Sequence, residues 1–415
     1  MQSPIHEGYE YQDYFTVSII LQQMLHQTEA ELIIDRKDFV GDKFDDLKMK
    51  TPKDSIEFQI KYSDEENSHK LTKNDFSNGN GHDTALSDLF TSWKKRKESG
   101  YTTQIKLCLA WNKPKEDDPL IKFLKPIEEH TLPFGVSAYS FAGEVFWPAE
   151  KKPPKTWKKF NTAIESGIID RDEFLSFCKE LSIILEMPKA SLDLKNPAAL
   201  ENVIIQQVVK LGVGIYPNDT FNVDDVINKL ATEVKRSRAI GNKLNTSILI
   251  GRLGLIMDYG KFDQRFPVDS THQIILGDEI ERLHRKVCDS KHIIISGNPG
   301  SGKSWLVDEY IDKLISENSK VIHYNCFQSL QDENSLERIC VTSLYGNLVS
   351  QILEQCPELI EHKNTILGAD KTELENLLRF IEKEFYLVVD GLDHISREYE
   401  LHKDIISRSE TEIIS

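Results

Sequence analysis

From Ile56 to Tyr62 apolar and polar residues alternate without a break. Ile56, Phe58, Ile60 and Tyr62 face one way, and Glu57, Gln59 and Lys61 face the other. A period of two predicts a half-buried β-strand. Phe44 to Met49 reads as its partner, joined through Thr51-Pro52-Lys53-Asp54, and a hairpin of that length sets Asp46 beside Gln59. Upstream, Gly8-Tyr9-Glu10-Tyr11-Gln12 opens a helix with Tyr11, Phe15 and Ile19 on one stripe and Tyr14, Leu21 and Leu25 beside it. Thr103 to Trp111 and Ser137 to Phe141 read as further strands, and Ser63 to Asp83 as a polar loop. After the Pro/Lys-rich stretch from Pro148 to Lys159 the apolar spacing changes to three and four. Asp172 to Leu185, Ala198 to Leu211, Val223 to Arg238 and Leu244 to Met257 therefore read as helices. From Phe266-Pro267-Val268-Asp269 onward, strands alternate with helices. A helix opens at Gly277-Asp278-Glu279, a strand runs from His292 to Ser296, and a helix from Trp305 to Ile315. A strand from Lys320 to Cys326, a helix from Leu336 to Leu353 and a strand from Phe385 to Asp390 follow. The pattern predicts a multidomain α/β chain: an α/β domain over 1–150, a helical region over 151–265, and a parallel-sheet domain over 266–415.

Length supports that division, since 415 residues exceed one ordinary core. With 28% charged and 39% hydrophobic residues the chain has a globular composition, and no stretch is apolar for long enough to cross a bilayer. Six scattered cysteines form no CxxC pair, so free thiols in a reducing cytoplasm are expected. The histidines His6, His26, His69, His82 and His130 show no metal-ligand spacing. A net charge of −16 argues against a protein that coats nucleic acid, but the first 160 residues are close to neutral. Two basic runs lie there, Trp93-Lys94-Lys95-Arg96-Lys97 and Lys151-Lys152-Pro153-Pro154-Lys155-Thr156-Trp157-Lys158-Lys159. Each reads either as a solvated face or as a DNA track in which lysines meet phosphates and Trp stacks on bases.

Candidate chemistry is clearest at Gly297-Asn298-Pro299-Gly300-Ser301-Gly302-Lys303-Ser304, a P-loop between a predicted strand and a predicted helix. Its glycines let backbone N–H groups converge on phosphates; Lys303 is expected to reach the β- and γ-phosphates of ATP and the Ser304 hydroxyl to take a Mg2+ position. The apolar strand Phe385-Tyr386-Leu387-Val388-Val389 ends in Asp390, a second magnesium partner, and Asp393 is positioned to orient an attacking water. Asp390-Gly391-Leu392-Asp393-His394 resembles the Walker B motif of STAND ATPases, where helicases carry Asp-Glu. The resemblance implies an ATP-driven switch from monomer to oligomer with slow hydrolysis. Only 22 residues follow Asp393, so the family's remaining strands and basic sensor are expected to lie outside this chain, and Ser407-Arg408-Ser409 is no substitute. Binding of nucleotide is expected to exceed its turnover.

The first region carries a second set. Asp46 (or Asp45) and the Gln59 side-chain oxygen can ligate Mg2+, with Lys61 placed to orient water or stabilise charge on a scissile phosphate. Glu57, on the same predicted face, is a candidate to compensate for the neutral Gln. A D…QxK strand pair also occurs in proteins that cleave nothing. The ordered set of Gly-aromatic-x-x-Gln helix, Asp-Asp strand and QxK resembles the PD-(D/E)xK nucleases of the QxK subtype, with their restriction-endonuclease-like α/β fold. That resemblance implies double-stranded DNA as substrate and adds Glu10 as an acid near the metal; capping or core anchoring is the alternative for Glu10.

Nuclease, helical region and STAND ATPase in that order resemble the Avs family of bacterial antiviral ATPases. Membership implies a cytoplasmic anti-phage protein whose C-terminal sensor, absent here, recognises a phage protein such as a terminase or portal. ATP-bound subunits would then form a homo-oligomer and activate the endonuclease. The rivals are an ATP-dependent restriction enzyme with a DNA-translocating motor and a non-catalytic STAND signalling scaffold.

Overall fold

The computed structural model describes residues 4–62, 69–99, 104–189, 199–265, 276–290, 292–329, 331–381, 385–397 and 399–400. The expected motifs at Phe266-Pro267-Val268-Asp269 and Ser407-Arg408-Ser409 lie outside them. The chain forms two compact α/β units, one of residues 1–209 and 223–255, the other of 210–222 and 256–415.

The first unit is built on an eight-stranded mixed sheet. Its strands are β1 (Glu31–Ile34), β2 (Leu47–Lys50), β3 (Ser55–Lys61), β4 (Gln104–Leu109), β5 (Leu124–Ile127), β6 (Ser137–Phe141), β7 (Leu181–Leu185) and β8 (Leu244–Asn245), in the order β5-β6-β7-β4-β3-β2-β1-β8. β3, β4 and β7 run parallel at the centre, and the outer pairings are antiparallel. Centrality explains why β3 is not half-buried as its alternation predicted. Ile56 to Ile60 are all buried, so Glu57 and Gln59 face packed protein instead of water. The polar face of β3 is buried at Glu57 and Gln59 and half-exposed at Lys61, where it reaches the wall of a cleft.

Helix α1 (Pro4–Leu25) lies against this sheet, with Phe15 edge-on to Phe58 and Tyr11 tilted on Tyr62. Its other side packs on the helix Val223–Ile240, so Val17, Ile20 and Leu21 are buried as fully as Tyr11 and Phe15. A helix apolar nearly all round belongs inside. Across the sheet, α2 (Lys73–Asn78), α3 (Leu86–Glu98) and the helices Lys158–Glu165 and Arg171–Glu180 cover a core rich in aromatic rings, including Phe90, Phe146, Trp157 and Phe174. The helical reading of Asp172 to Leu185 holds only to Glu180. Leu181-Ser182-Ile183-Ile184-Leu185 is instead the central strand β7, where a short apolar run buried on both sides has no diagnostic period. Residues 151–265 thus form no unit of their own, because β7 belongs to the large sheet.

Trp93 and Trp157 are both core residues, which removes them as stacking platforms in the basic runs. Arg96 is buried too, while Lys95, Lys97, Lys151, Lys152, Lys155, Lys158 and Lys159 remain exposed.

The second unit holds β9 (Lys320–Asn325) and β10 (Phe385–Asp390), paired in parallel with Asn325 opposite Asp390. The outer edge of β9 is closed by side-chain amides. Gln355 donates to Val321 O, Gln351 accepts from His323 N and donates to His323 O, and Gln264 accepts from Asn325 N. Gln351 and Gln355 stand one turn apart on the helix Val341–Gln355, a rise of roughly 6 Å that matches two strand residues. The expected strand His292 to Ser296 is not formed. It is irregular, and Ile294 is 93% exposed. A strand needs a ladder partner, and among the described residues no strand pairs with it.

Candidate functional sites

In the first unit the hairpin register carries the predicted pair together. Leu47 lies opposite Phe58, which continues to Asp46 opposite Gln59. One oxygen, Asp46 Oδ2, accepts both Gln59 Nε2 at 2.8 Å and the Ile60 N–H at 2.6 Å. Gln59 Oε1 is buried and has no hydrogen-bond partner among the described residues. Such an atom costs free energy unless something satisfies it. Burial pushes the Asp46 carboxyl up to about 6, against the opposing pull of the Lys61 ammonium and the Ile60 N–H.

Asp46, Gln59 and Lys61 line one cleft of about 310 Å³. Asp45 lines it as well, its pKa raised mainly by burial, with Lys37 at 3.7 Å. Three more carboxylates (Asp35, Asp42, Asp83) and two more lysines (Lys37, Lys43) complete the charged walls. Sequence reading missed these, since they come from the end of β1, the link to β2 and the loop before α3. The one local signal was Glu31-Leu32-Ile33-Ile34, an apolar run closed by Asp35 in the same manner as β10 is closed by Asp390. Glu10 is exposed and does not line the cleft; Gln12, of the same helix opening, does.

Glu57 does not compensate for Gln59. It is buried in an ion pair with Arg96 Nη1, and Arg96 also holds Asp42 through Nε and Nη2. Burial pushes Glu57 up to about 7 despite the arginine. Asp42 is held low: burial works against its charge, but the Asp38 and Phe44 N–H groups and Arg96 outweigh it. These charges form a strut that reaches the cleft wall at Asp42 and ties α3 to β3 and to the β1–β2 link.

The donor set fits a hard divalent cation. Asp46 contributes carboxylate oxygen, the unpartnered Gln59 Oε1 an amide oxygen, and Asp45 adjoins them in the same cleft. Lys61 supplies a positive charge on the same strand as Gln59, two residues on and therefore on the same face.

In the second unit the segment Gly297 to Ser304 is an exposed loop entering the helix Lys303–Ser316. Gly300 (φ +74°) and Gly302 (φ +82°) take left-handed backbone, which side chains other than glycine resist. Asn298 O accepts the Ser301 N–H, closing the turn over Pro299 and Gly300. Among the described residues no side chain caps the helix start at Gly302, which leaves its first N–H groups open to an anion. Lys303 Nζ folds back to Gly297 O at 3.0 Å and Asn298 O at 3.4 Å, and stands 3.9 Å from an Asp393 carboxylate oxygen. Ser304 sits in the first helical turn. Asp390 closes β10, its carbonyl accepting the Cys326 N–H at 2.8 Å, and Gly391 (φ +81°) turns the chain into the short helix Leu392–His394 that bears Asp393. Loop lysine and downstream acid thus meet, as their spacing in sequence had left open.

No curated protein matches this chain. A family model described as Nephrocystin 3, N-terminal, matches residues 270–413, a span that takes in the loop Gly297 to Ser304, the helix after it, β9, and β10 with Asp390 and Asp393.

Proposed function

We propose that this chain is a metal-dependent DNA endonuclease governed by a nucleotide switch. The observation that carries the reading is the meeting of Asp46, Gln59 and Lys61 in one charged cleft, with the buried Gln59 Oε1 lacking a partner. Asp46 and Gln59, with Asp45 beside them, would hold Mg2+, which would supply polarisation of a scissile phosphate. Lys61 binds and orients the phosphate and stabilises the charge that develops on it. The Ile60 N–H and Gln59 Nε2 both bond Asp46 Oδ2 and hold the carboxylate in one orientation. In the second unit the Gly297–Ser304 loop would hold the phosphates of ATP, Lys303 giving up its bonds to the Gly297 and Asn298 carbonyls for phosphate oxygens; Ser304 and Asp390 would hold Mg2+, and Asp393 would orient the attacking water.

The order of the two sites supports a defence role of the Avs kind. A phage protein sensed elsewhere in the polypeptide promotes ATP-bound assembly into a homo-oligomer, and clustering raises the local concentration of nuclease clefts on double-stranded DNA. A single cleft with an amide in place of one metal carboxylate binds its cation weakly, which suits an enzyme that is silent as a monomer.

The test is plasmid cleavage in Mg2+ by the full protein activated with its trigger, comparing wild type, Asp46→Ala and Lys61→Ala. Both variants are expected to lose cleavage by roughly a hundredfold or more. Equal cleavage by all three disposes of the assigned site, and vigorous cleavage by a verified monomer disposes of the switch.

A further inference from the structure

A second cluster of metal-ligand side chains lies outside the Asp46 cleft. We propose that His69, Asp75 and His82 form a zinc-class transition-metal site that pins the loop between α2 and α3. One ligand atom from each of the three side chains lies within 4.8 Å of the others. His69 Nε2 and Asp75 Oδ2 are already 3.0 Å apart, near the roughly 3.3 Å between two ligands of a tetrahedral zinc with bonds of about 2.0–2.1 Å. The His69 and His82 rings are 4.9 Å apart, and both stand edge-on to the buried Trp111.

Each ligand is tied to its surroundings, His82 by its own N–H on Gly79 O at 2.7 Å. His69 is tied in place by backbone bonds on either side of it: His69 O accepts the Asn112 N–H at 2.8 Å, and Asn112 O accepts the Leu71 N–H at 3.0 Å. Asp75 Oδ2 accepts the Thr72 N–H and hydroxyl at 2.7 and 2.8 Å, the kind of supporting bonds that orient a ligating carboxylate. Its Oδ1 receives a single long contact, from Asn80 at 3.4 Å, among the described residues. Two imidazoles and a carboxylate leave a fourth position for water, and nitrogen donors favour zinc over the magnesium suited to Asp46 and Gln59. Binding releases the His69 Nε2 proton to solvent and sets the metal between that nitrogen and Asp75. Sequence spacing hid the set because His69 and His82 are thirteen residues apart with a helix between them. Its consequence reaches the cleft: Asp83, adjacent to His82, lines the cleft and pairs with Lys43 at 2.7 Å.

The experiment is Zn2+ titration of the full chain against a chromogenic chelator, with Co2+ absorption as the coordination readout. A Cys288→Ser background removes the exposed thiol beside His284, an adventitious zinc ligand pair. Wild type and Asp46→Ala are expected to bind one Zn2+ per chain and to show the intense Co2+ spectrum of a tetrahedral site. His82→Ala, at a partly exposed loop position, is expected to keep the wild-type circular dichroism and lose both; His69→Ala is the second arm. No stoichiometric binding by wild type overturns the proposal, as does His82→Ala binding as tightly as wild type. Loss of the zinc in Asp46→Ala with retention in His82→Ala assigns the metal to the cleft and equally overturns it. Because Asp46→Ala silences the proposed nuclease and not this site, failure of one reading is distinguishable from failure of the other.

Discussion

Replacing Asp46 with Asn is expected to stabilise the metal-free protein while destroying the proposed metal site. Burial lifts the Asp46 carboxyl from 3.8 to about 6. At neutral pH the folded protein therefore carries a charge that it holds less favourably than the unfolded chain does, by roughly 3 kcal/mol. Both donors to the carboxylate, Gln59 Nε2 and the Ile60 N–H, meet the same oxygen, Oδ2. An Asn amide oxygen in that place keeps both bonds, so the substitution removes the charge and little else. The pH dependence has a definite sign. Below 3.8 Asp46 is protonated in both states, and wild type and Asp46→Asn are alike. As pH rises through about 6 the wild type loses stability relative to the variant, and the gap reaches its full size above that.

Urea unfolding in EDTA at pH 4 and pH 8 measures this. Trp93, Trp111, Trp147 and Trp157 belong to the first unit and Trp305 to the second. A Trp305→Phe background thus isolates the relevant transition, which matters because a chain of two units need not unfold in one step. At pH 8 the variant's midpoint is expected to rise by roughly 1 M urea for a slope of about 3 kcal/mol/M. A variant less stable than wild type at pH 8, or a difference that does not shrink at pH 4, would falsify the reasoning. Added Mg2+ is expected to narrow the gap from the wild-type side alone, because only the carboxylate gains from the cation.

Other expectations follow from the same contacts. Arg96→Met strands the buried charges of Asp42 and Glu57, and a loss of roughly 3–5 kcal/mol in the first unit is expected by denaturant unfolding; unchanged stability would mean the strut carries no weight. Gln351→Ala leaves the N–H and C=O of His323 unpaired on the edge of β9, at a cost of roughly 1–3 kcal/mol, read as faster amide exchange across β9. Lys303→Ala is expected to weaken binding of a fluorescent ATP analogue by roughly tenfold or more, with circular dichroism unchanged. Equal affinity in that variant removes Lys303 from the phosphate site.

How far the sequence alone reached depends on whether a property is local. The hairpin of β2 and β3 was legible because strand period and turn length are short-range, and together they set Asp46 opposite Gln59. The Gly297–Ser304 loop was legible because its glycines answer to backbone sterics within eight residues. The apolar run to Asp390 was legible for the same reason. Three features were decided only by tertiary structure. Leu181 to Leu185 is a strand because it lies between β4 and β6, and nothing in its own order distinguishes that from the end of a helix. His292 to Ser296 reads as a strand yet is none, since its amides find no neighbouring ladder. Glu57, the preceding residue on the same strand face as Gln59, was a candidate in sequence to compensate for the neutral Gln; Arg96, thirty-nine residues away, claims it as a structural ion pair. Periodicity records which faces of an element avoid water. Which charge meets which, and whether a buried oxygen such as Gln59 Oε1 is left for a cation, is fixed only when distant segments pack.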